Sequence, residues 1–384
     1  MVHSILEKLG IRPIINAWGT VTKLGGSLLD HDIIDTITEA SQVYVDMEEL
    51  HVKAGKYVAI LLGAEDAYIT SGAGAGLVLA IASCISNGNI EVAAELPFPR
   101  TSRTEVIIQA LQKNNYDSLV QIAGGRTVIV GSEESTNEDD LEGAISDKTA
   151  AVLYFDYEPQ DGILPLQTVI DKAHSKQVPV IVDAAAELPP ASNLLKYTSM
   201  HADAILFSVG KDMGGPNDVG IVAGRKSLIE TCRNIGPHSA VKHRGKGRAY
   251  LGRPMKTSKE DIFAAVWAIE RYPGIDHHSR VKYWRITAEN MCDKLSKIPN
   301  ISCKVIITSA TRPMDHPRPR IVPRVEVNIL RGRLTNADLF ERLKSGERPI
   351  YTYMVDNLLY INPHCLRETE SDLIVERIRQ IMEE

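Results

Sequence analysis

FSVGKDMGGPNDVGIVAG, residues 207–224, contains one cation, Lys211, in a run that is otherwise small, apolar or acidic. The lysine follows the apolar run ADAILF, which reads as a buried strand, and it stands just before Gly214 and Gly215. An exposed loop lysine is one explanation. The other is an amine kept at a sheet edge to form a covalent bond with a cofactor.

Upstream, VPVIVDAAAE (178–187) ends a second buried-looking strand on Asp183, 211 − 183 = 28 residues before the lysine. A carboxylate there costs desolvation energy unless a cation or a hydrogen-bond donor meets it. Capping a helix or bonding to nearby backbone would also satisfy it. Two consecutive strands would bring Asp183 and Lys211 to one carboxyl edge, where open α/β sheets bind ligands. Further upstream, ITSGAGAGL (69–77) sets Ser71, Gly72, Ala73 and Gly74 between a strand and a helix N-terminus. Free N–H groups and the helix dipole favour a phosphate at such a turn, although tight packing alone also selects small residues.

An aldehyde-bearing phosphate cofactor, pyridoxal 5'-phosphate, needs these three parts. The lysine forms the Schiff base, the acid keeps the pyridine nitrogen protonated, and the glycine turn holds the phosphate. Ser208, three residues before Lys211, adds a hydroxyl to the phosphate site or is an ordinary loop serine.

The rest of the chain fits that frame. TEVIIQ, RTVIVG, TAAVLYFDY, VPVIVDAAA and ADAILFSVG are nearly continuous apolar runs, as expected for strands covered on both faces. LQTVIDKAHSKQ is an amphipathic crossover helix, and residues 30–63 carry apolar side chains at helical spacing up to Gly63. After GIVAG, two long helical patterns lead into a tail with strands near ISCKVII and RVEVNIL. The expected layout is an arm at 1–40, a large α/β cofactor domain at 41–255, and a small α+β domain at 256–384. The fold class is α/β with a mostly parallel sheet and helices on both faces.

A formal net charge of −6 over 384 residues argues against a general nucleic-acid binder, although HRGKGR (243–248) and RPMK (253–256) form a local basic patch. Five scattered cysteines without a CxxC pair fit a reducing compartment and argue against a disulfide framework or a zinc site, so no metal is expected. No leader-like N-terminus or membrane-length apolar run is apparent, which makes a cytoplasmic location the expectation.

On FSVGKDMGGPNDVGIVAG the chain resembles the selenocysteine-synthase-like family of fold-type-I pyridoxal-phosphate enzymes. The likeness continues through IRPIINAWGTVTKLGGS, GAEDAYITSGAGAGL, NNYDSLVQIAG, VPVIVDAAAELPP, LGRPMKTSKEDI and ERPIY, in the family's order. That family includes seryl-tRNA selenium transferases and sugar-amino-acid-phosphate ammonia lyases. The resemblance implies the fold-type-I transferase architecture, Lys211 as Schiff-base lysine, Asp183 as pyridinium partner, and Ser71 to Gly74 as phosphate cradle. It also implies a homo-oligomer, at least a dimer, with active sites between subunits.

The pattern departs in one place. Lyase-type relatives carry a His-Arg pair just before the stretch matching NNYD, where this chain has Gln112 and Lys113. Gln112 would cover the cofactor ring with its amide plane, or would be a surface residue while another group stacks. Arg253 and Arg348 suit a substrate carboxylate or phosphate because the guanidinium fork binds anions in two points. Salt bridges elsewhere would explain them equally well. Thr20 and Lys23 in the glycine-rich arm would close a site or serve as a structural lead-in. Gly214 and Gly215 would let the backbone pass close to the cofactor or to a partner's phosphate site.

The leading expectation is an ammonia lyase that removes an α-proton from an amino acid or amino-sugar acid and expels a β-substituent, through an external aldimine and quinonoid. A racemase or epimerase would use the same proton abstraction. Selenium transfer on seryl-tRNA fits poorly with the acidic charge and with an N-terminus that begins almost at the core arm. A non-catalytic cofactor carrier conflicts with the paired Lys211 and Asp183.

Overall fold

The computed structural model describes residues 2–156, 160–237, 250–307 and 317–384. The basic run at 243–248 lies outside the described residues. The chain forms two units, residues 29–275 and residues 1–28 with 276–384.

The larger unit is built on a seven-stranded sheet. Across it the strands run Asp66–Thr70, Gly220–Gly224, Ala204–Ser208, Val180–Asp183, Thr149–Phe155, Glu105–Gln109, Arg126–Val130. The five strands from Ala204–Ser208 to Arg126–Val130 pair in parallel. Gly220–Gly224 is antiparallel to both of its neighbours. The apolar runs are continuous because both faces are covered. Val152, Tyr154, Ile205 and Phe207 enter one core, and Leu153, Phe155 and Leu206 enter the other. Only the edge strand Arg126–Val130 is largely uncovered.

Helix Ala73–Ser86 is buried from Gly76 onward, because its apolar residues encircle it. Helix Leu166–Ser175, the crossover between the parallel strands Thr149–Phe155 and Val180–Asp183, buries Leu166, Val169, Ile170 and Ala173. Among the described residues no helix is long and apolar enough to cross a membrane.

The structure departs from expectation in two ways. The helical stretch 30–63 is two helices, His31–Ser41 and Met47–Leu62. The intervening QVYVD holds β-branched and aromatic residues that disfavour helix, Tyr44 is fully exposed, and Asp46 starts the second helix by accepting from Glu49 N at 2.9 Å. The unit boundary also falls at residue 275 instead of near 255, and the arm ends at 28 instead of 40. Helix Lys259–Arg271 packs on those two helices and contributes Ile262, Ala265 and Ile269 to the larger unit's core.

In the smaller unit the arm is part of the structure. Ile15–Asn16 pairs in parallel with Ile350–Tyr351, and Asn362 donates from its backbone N to Ala17 O and from Nδ2 to Trp18 O, both at 2.8 Å. An antiparallel sheet of Tyr353–Val355, Leu358–Ile361, Arg324–Ile329 and Ile301–Ile306 is packed by helices His277–Leu295, Asn336–Ser345 and Glu370–Glu383.

Leu206 is fully buried at the centre of the large sheet. Leu206→Ala is expected to lower unfolding free energy by about 2–5 kcal/mol in urea denaturation. A loss below about 1 kcal/mol would show that this core is loosely packed.

Candidate active site at the carboxyl edge of the large sheet

Because Gly220–Gly224 runs against its neighbours, its first residue lies where theirs end. Thr70 pairs with Gly220, and Gly220 pairs with Ser208. The glycine turn after Thr70 and the lysine turn after Ser208 therefore leave the sheet at one edge. Gly220 is pressed against the first of these. A Cβ there would lie 2.3 Å from Ala73 N and 2.4 Å from Gly72 C.

The glycine turn has the form of an anion cradle. Gly72 is the helix N-cap at φ 89°, a conformation that favours glycine, and no side chain caps the helix. Residues 71–75 are partly exposed while the helix beyond is buried, and the first-turn N–H groups have no partner within the helix. A Cβ at Gly72 would meet only Asp218 O at 3.8 Å, and one at Gly74 only Leu119 Cδ1 at 3.6 Å. The dipole of a helix N-terminus favours an anion at such a turn.

Asp183 ends its strand partly exposed, in register with Phe155 on one side and Leu206 on the other. Its Oδ1 accepts from Ala185 N at 2.9 Å. Gln112 reaches this same row. It is fully buried, so it is no surface residue, and its Nε2 donates to Phe155 O at 2.7 Å. Its Oε1 is buried without a hydrogen-bond partner in the structure.

One neighbouring acid was not singled out from sequence. Asp156, 3% exposed, donates from its backbone N to Asp183 O at 3.1 Å. Its Oδ2 accepts from Tyr197 Oη at 2.6 Å and Lys196 Nζ at 2.8 Å. The available signal was an acid directly after a buried run in YFDY, the same signal that marked Asp183.

Lys211 sits in a turn that is closed by backbone bonds from Val209 N to Val219 O and from Gly215 N to Val209 O. Ser208 and Lys211 are partly exposed. Gly214 and Gly215, expected to let the backbone pass close to the cofactor or to a partner's phosphate site, have protein on the side where a side chain would stand. Added Cβ atoms would lie 2.9 Å from an Arg271 guanidinium nitrogen and 2.4 Å from Val209 Cγ1 respectively. Arg253 is exposed in the turn 250–254.

The second anion candidate and the two arm residues lie in the smaller unit. Arg348 is paired with the buried Glu370 at 2.6 Å. Thr20 is buried, and Lys23 Nζ lies 5.7 Å from the Trp18 ring centroid.

A model of the family described as aminotransferase class-V matches residues 38–303. The chain belongs to the aminotransferase class-V family. It is 31% identical to D-glucosaminate-6-phosphate ammonia lyase of Salmonella typhimurium (strain 14028s / SGSC 2262), over 100% of this chain and 99% of that one. It is 26% identical to 5'-C-glycyluridine monooxygenase-decarboxylase of a Streptomyces species, over 98% of this chain and 91% of the other. A solved structure of D-glucosaminate-6-phosphate ammonia-lyase superposes with a TM-score of 0.82 at 28% identity, covering 99% of this chain and 98% of that one. As a member of this aminotransferase family the protein is a pyridoxal-phosphate enzyme of fold type I. The open glycine turn, the edge acid and the edge lysine are the donor set that such a cofactor requires.

Lys211→Ala is expected to abolish the visible band of the bound cofactor near about 420 nm, and a spectrum unchanged by the substitution would remove Lys211 from the site. Gly220→Ala should push the glycine turn aside and weaken cofactor retention by about tenfold or more, read as band loss after gel filtration.

Proposed function

We propose that this protein is a pyridoxal-phosphate-dependent ammonia lyase acting on an amino acid of the amino-sugar-acid class, with Lys211 as base and Asp183 as ring partner. The observation that carries the reading is the convergence of the glycine turn, Asp183 and Lys211 on one sheet edge, in a chain that aligns end to end with a sugar-acid ammonia lyase.

The cofactor supplies an electron-accepting ring for the pair left when an α-proton is removed. The first-turn N–H groups around Ala73 and Gly74, with the Ser71 and Ser208 hydroxyls, hold its phosphate. Asp183 keeps a proton on the ring nitrogen, since an anion beside that nitrogen favours its charged form. Its bond from Ala185 N fixes the carboxylate's orientation. Lys211, partly exposed at this edge, would take the α-proton with its free amine. The proton taken up by Lys211 would leave with the β-hydroxyl as water, and hydrolysis of the released 2-imino acid would give a 2-oxo acid and ammonia.

Gln112 lies beneath this edge with its amide anchored to Phe155 O, so it supports the ring's surroundings as an uncharged group. Arg253, exposed in the larger unit, is the proposed contact for the substrate's anionic group. Arg348, Thr20 and Lys23 are engaged within their own unit and are weaker candidates.

Incubation with D-glucosaminate-6-phosphate and a panel of D- and L-amino acids is expected to release 2-oxo acid and ammonia in equal amounts. Exchange of the α-proton without oxo-acid release would replace the lyase reading with racemisation. Asp183→Ala should lower turnover by at least about a hundredfold, and turnover within about threefold of the parent would remove the proton-holding role.

The proposal extends to a cytoplasmic homo-oligomer, in keeping with the exposed aromatic side chains of Tyr44 and Phe98 on the larger unit. Light scattering after size exclusion should give at least twice the 42.3 kDa chain mass.

A further inference from the structure

The residue after the edge lysine is a buried acid. Asp212 is 6% exposed, and its Oδ2 accepts from the hydroxyl of Tyr272 at 2.5 Å. Tyr272 is itself fully buried and stands immediately after helix Lys259–Arg271. Arg271, the last residue of that helix, donates to Met213 O at 3.5 Å and to Asp30 Oδ2 at 2.7 Å. Arg271 also meets Asp32 Oδ1 at 3.3 Å. Two consecutive residues at one helix end thus clasp two consecutive residues of the lysine turn. The turn is seated on the same helix, because a Cβ at Gly215 would come within 3.2 Å of Ala268 Cβ.

A carboxylate next in sequence to a reactive lysine has two candidate roles. It can act by its charge, holding the neighbouring nitrogen protonated, or by its bonds, holding the backbone still. Burial and the tyrosine contact favour the second. The Tyr272 hydroxyl takes up a lone pair of the buried carboxylate and ties the turn to a helix cap whose other side chain grips the next carbonyl. We propose that Tyr272 is a positioning residue, acting through Asp212 to fix the turn from which Lys211 projects. The proposal rests on Lys211 being the cofactor-bearing lysine.

Spectral titration of the holoenzyme tests it. The pH midpoint of the visible cofactor band reports how the lysine nitrogen is held, which a purely structural residue would not move. Tyr272→Phe keeps the ring and removes the donor. It is expected to shift the midpoint by about half a pH unit or more and to speed cofactor loss on dilution by about tenfold, because a buried charged acceptor loses this donor. Asp212→Ala should do the same. Asp212→Asn still accepts from the tyrosine, and it should keep both values near those of the parent.

An unchanged midpoint and loss rate in Tyr272→Phe overturns the proposal. A shift in Asp212→Asn as large as in Asp212→Ala also overturns it, because charge would then be the operating property. If Tyr272→Phe fails to fold by circular dichroism, the two Asp212 variants decide alone. Loss of the visible band in Lys211→Ala is the separate check on the underlying assignment, so failure of that assignment is told apart from failure of the positioning role.

Discussion

The larger unit depends on the place of one strand that runs the wrong way. Gly220–Gly224 is inserted antiparallel between the strands that precede the glycine turn and the lysine turn, so its first residue is paired to both of their last residues. Gly220 also lies against Gly72 and Ala73 with no space for a side chain. The turn that offers backbone N–H groups and the turn that carries Lys211 are thereby held by one residue's backbone. Any shift in the register of this strand would move the glycine turn relative to Lys211 and Asp183, whose own strands are paired directly in parallel.

The edge is built from polar groups held by bonds to both backbone and side chains. Asp183 is fixed by Ala185 N and Gln112 by Phe155 O. Asp156 is held behind them by Tyr197 and Lys196. Side chains locked in this way need not reorganise when charge develops, which is the electrostatic basis of most enzymatic rate enhancement.

The parallel strands and the edge positions of Asp183 and Lys211 were legible in the sequence, because continuous β-branched runs ending in a lone charged residue have few other folded solutions. The antiparallel sense of GIVAG was not, since a five-residue apolar strand carries no mark of direction. Gln112 sits among the polar residues of LQKNN, which left ring cover and surface both open; its burial is set by the end of a strand more than forty positions later. The Asp212–Tyr272 contact spans 60 residues, and nothing local to either residue announces it. Helix Lys259–Arg271 showed an apolar face in the sequence, but a face does not name its partner. The boundary at 275 therefore emerged only from its packing on the helices Met47–Leu62 and His31–Ser41.

The pairing of Ile15–Asn16 with Ile350–Tyr351 has a meaning in time. A chain emerging from the ribosome presents its first strand long before the strand that receives it exists. Residues 29–275 form an unbroken segment that can collapse on its own sheet during synthesis, and domains generally fold as units in that order. The opening segment must wait, unpaired, until almost the whole chain has been made. Its two-residue strand and the alternation of Gly, Thr and Lys that follows give it little to aggregate with during that interval.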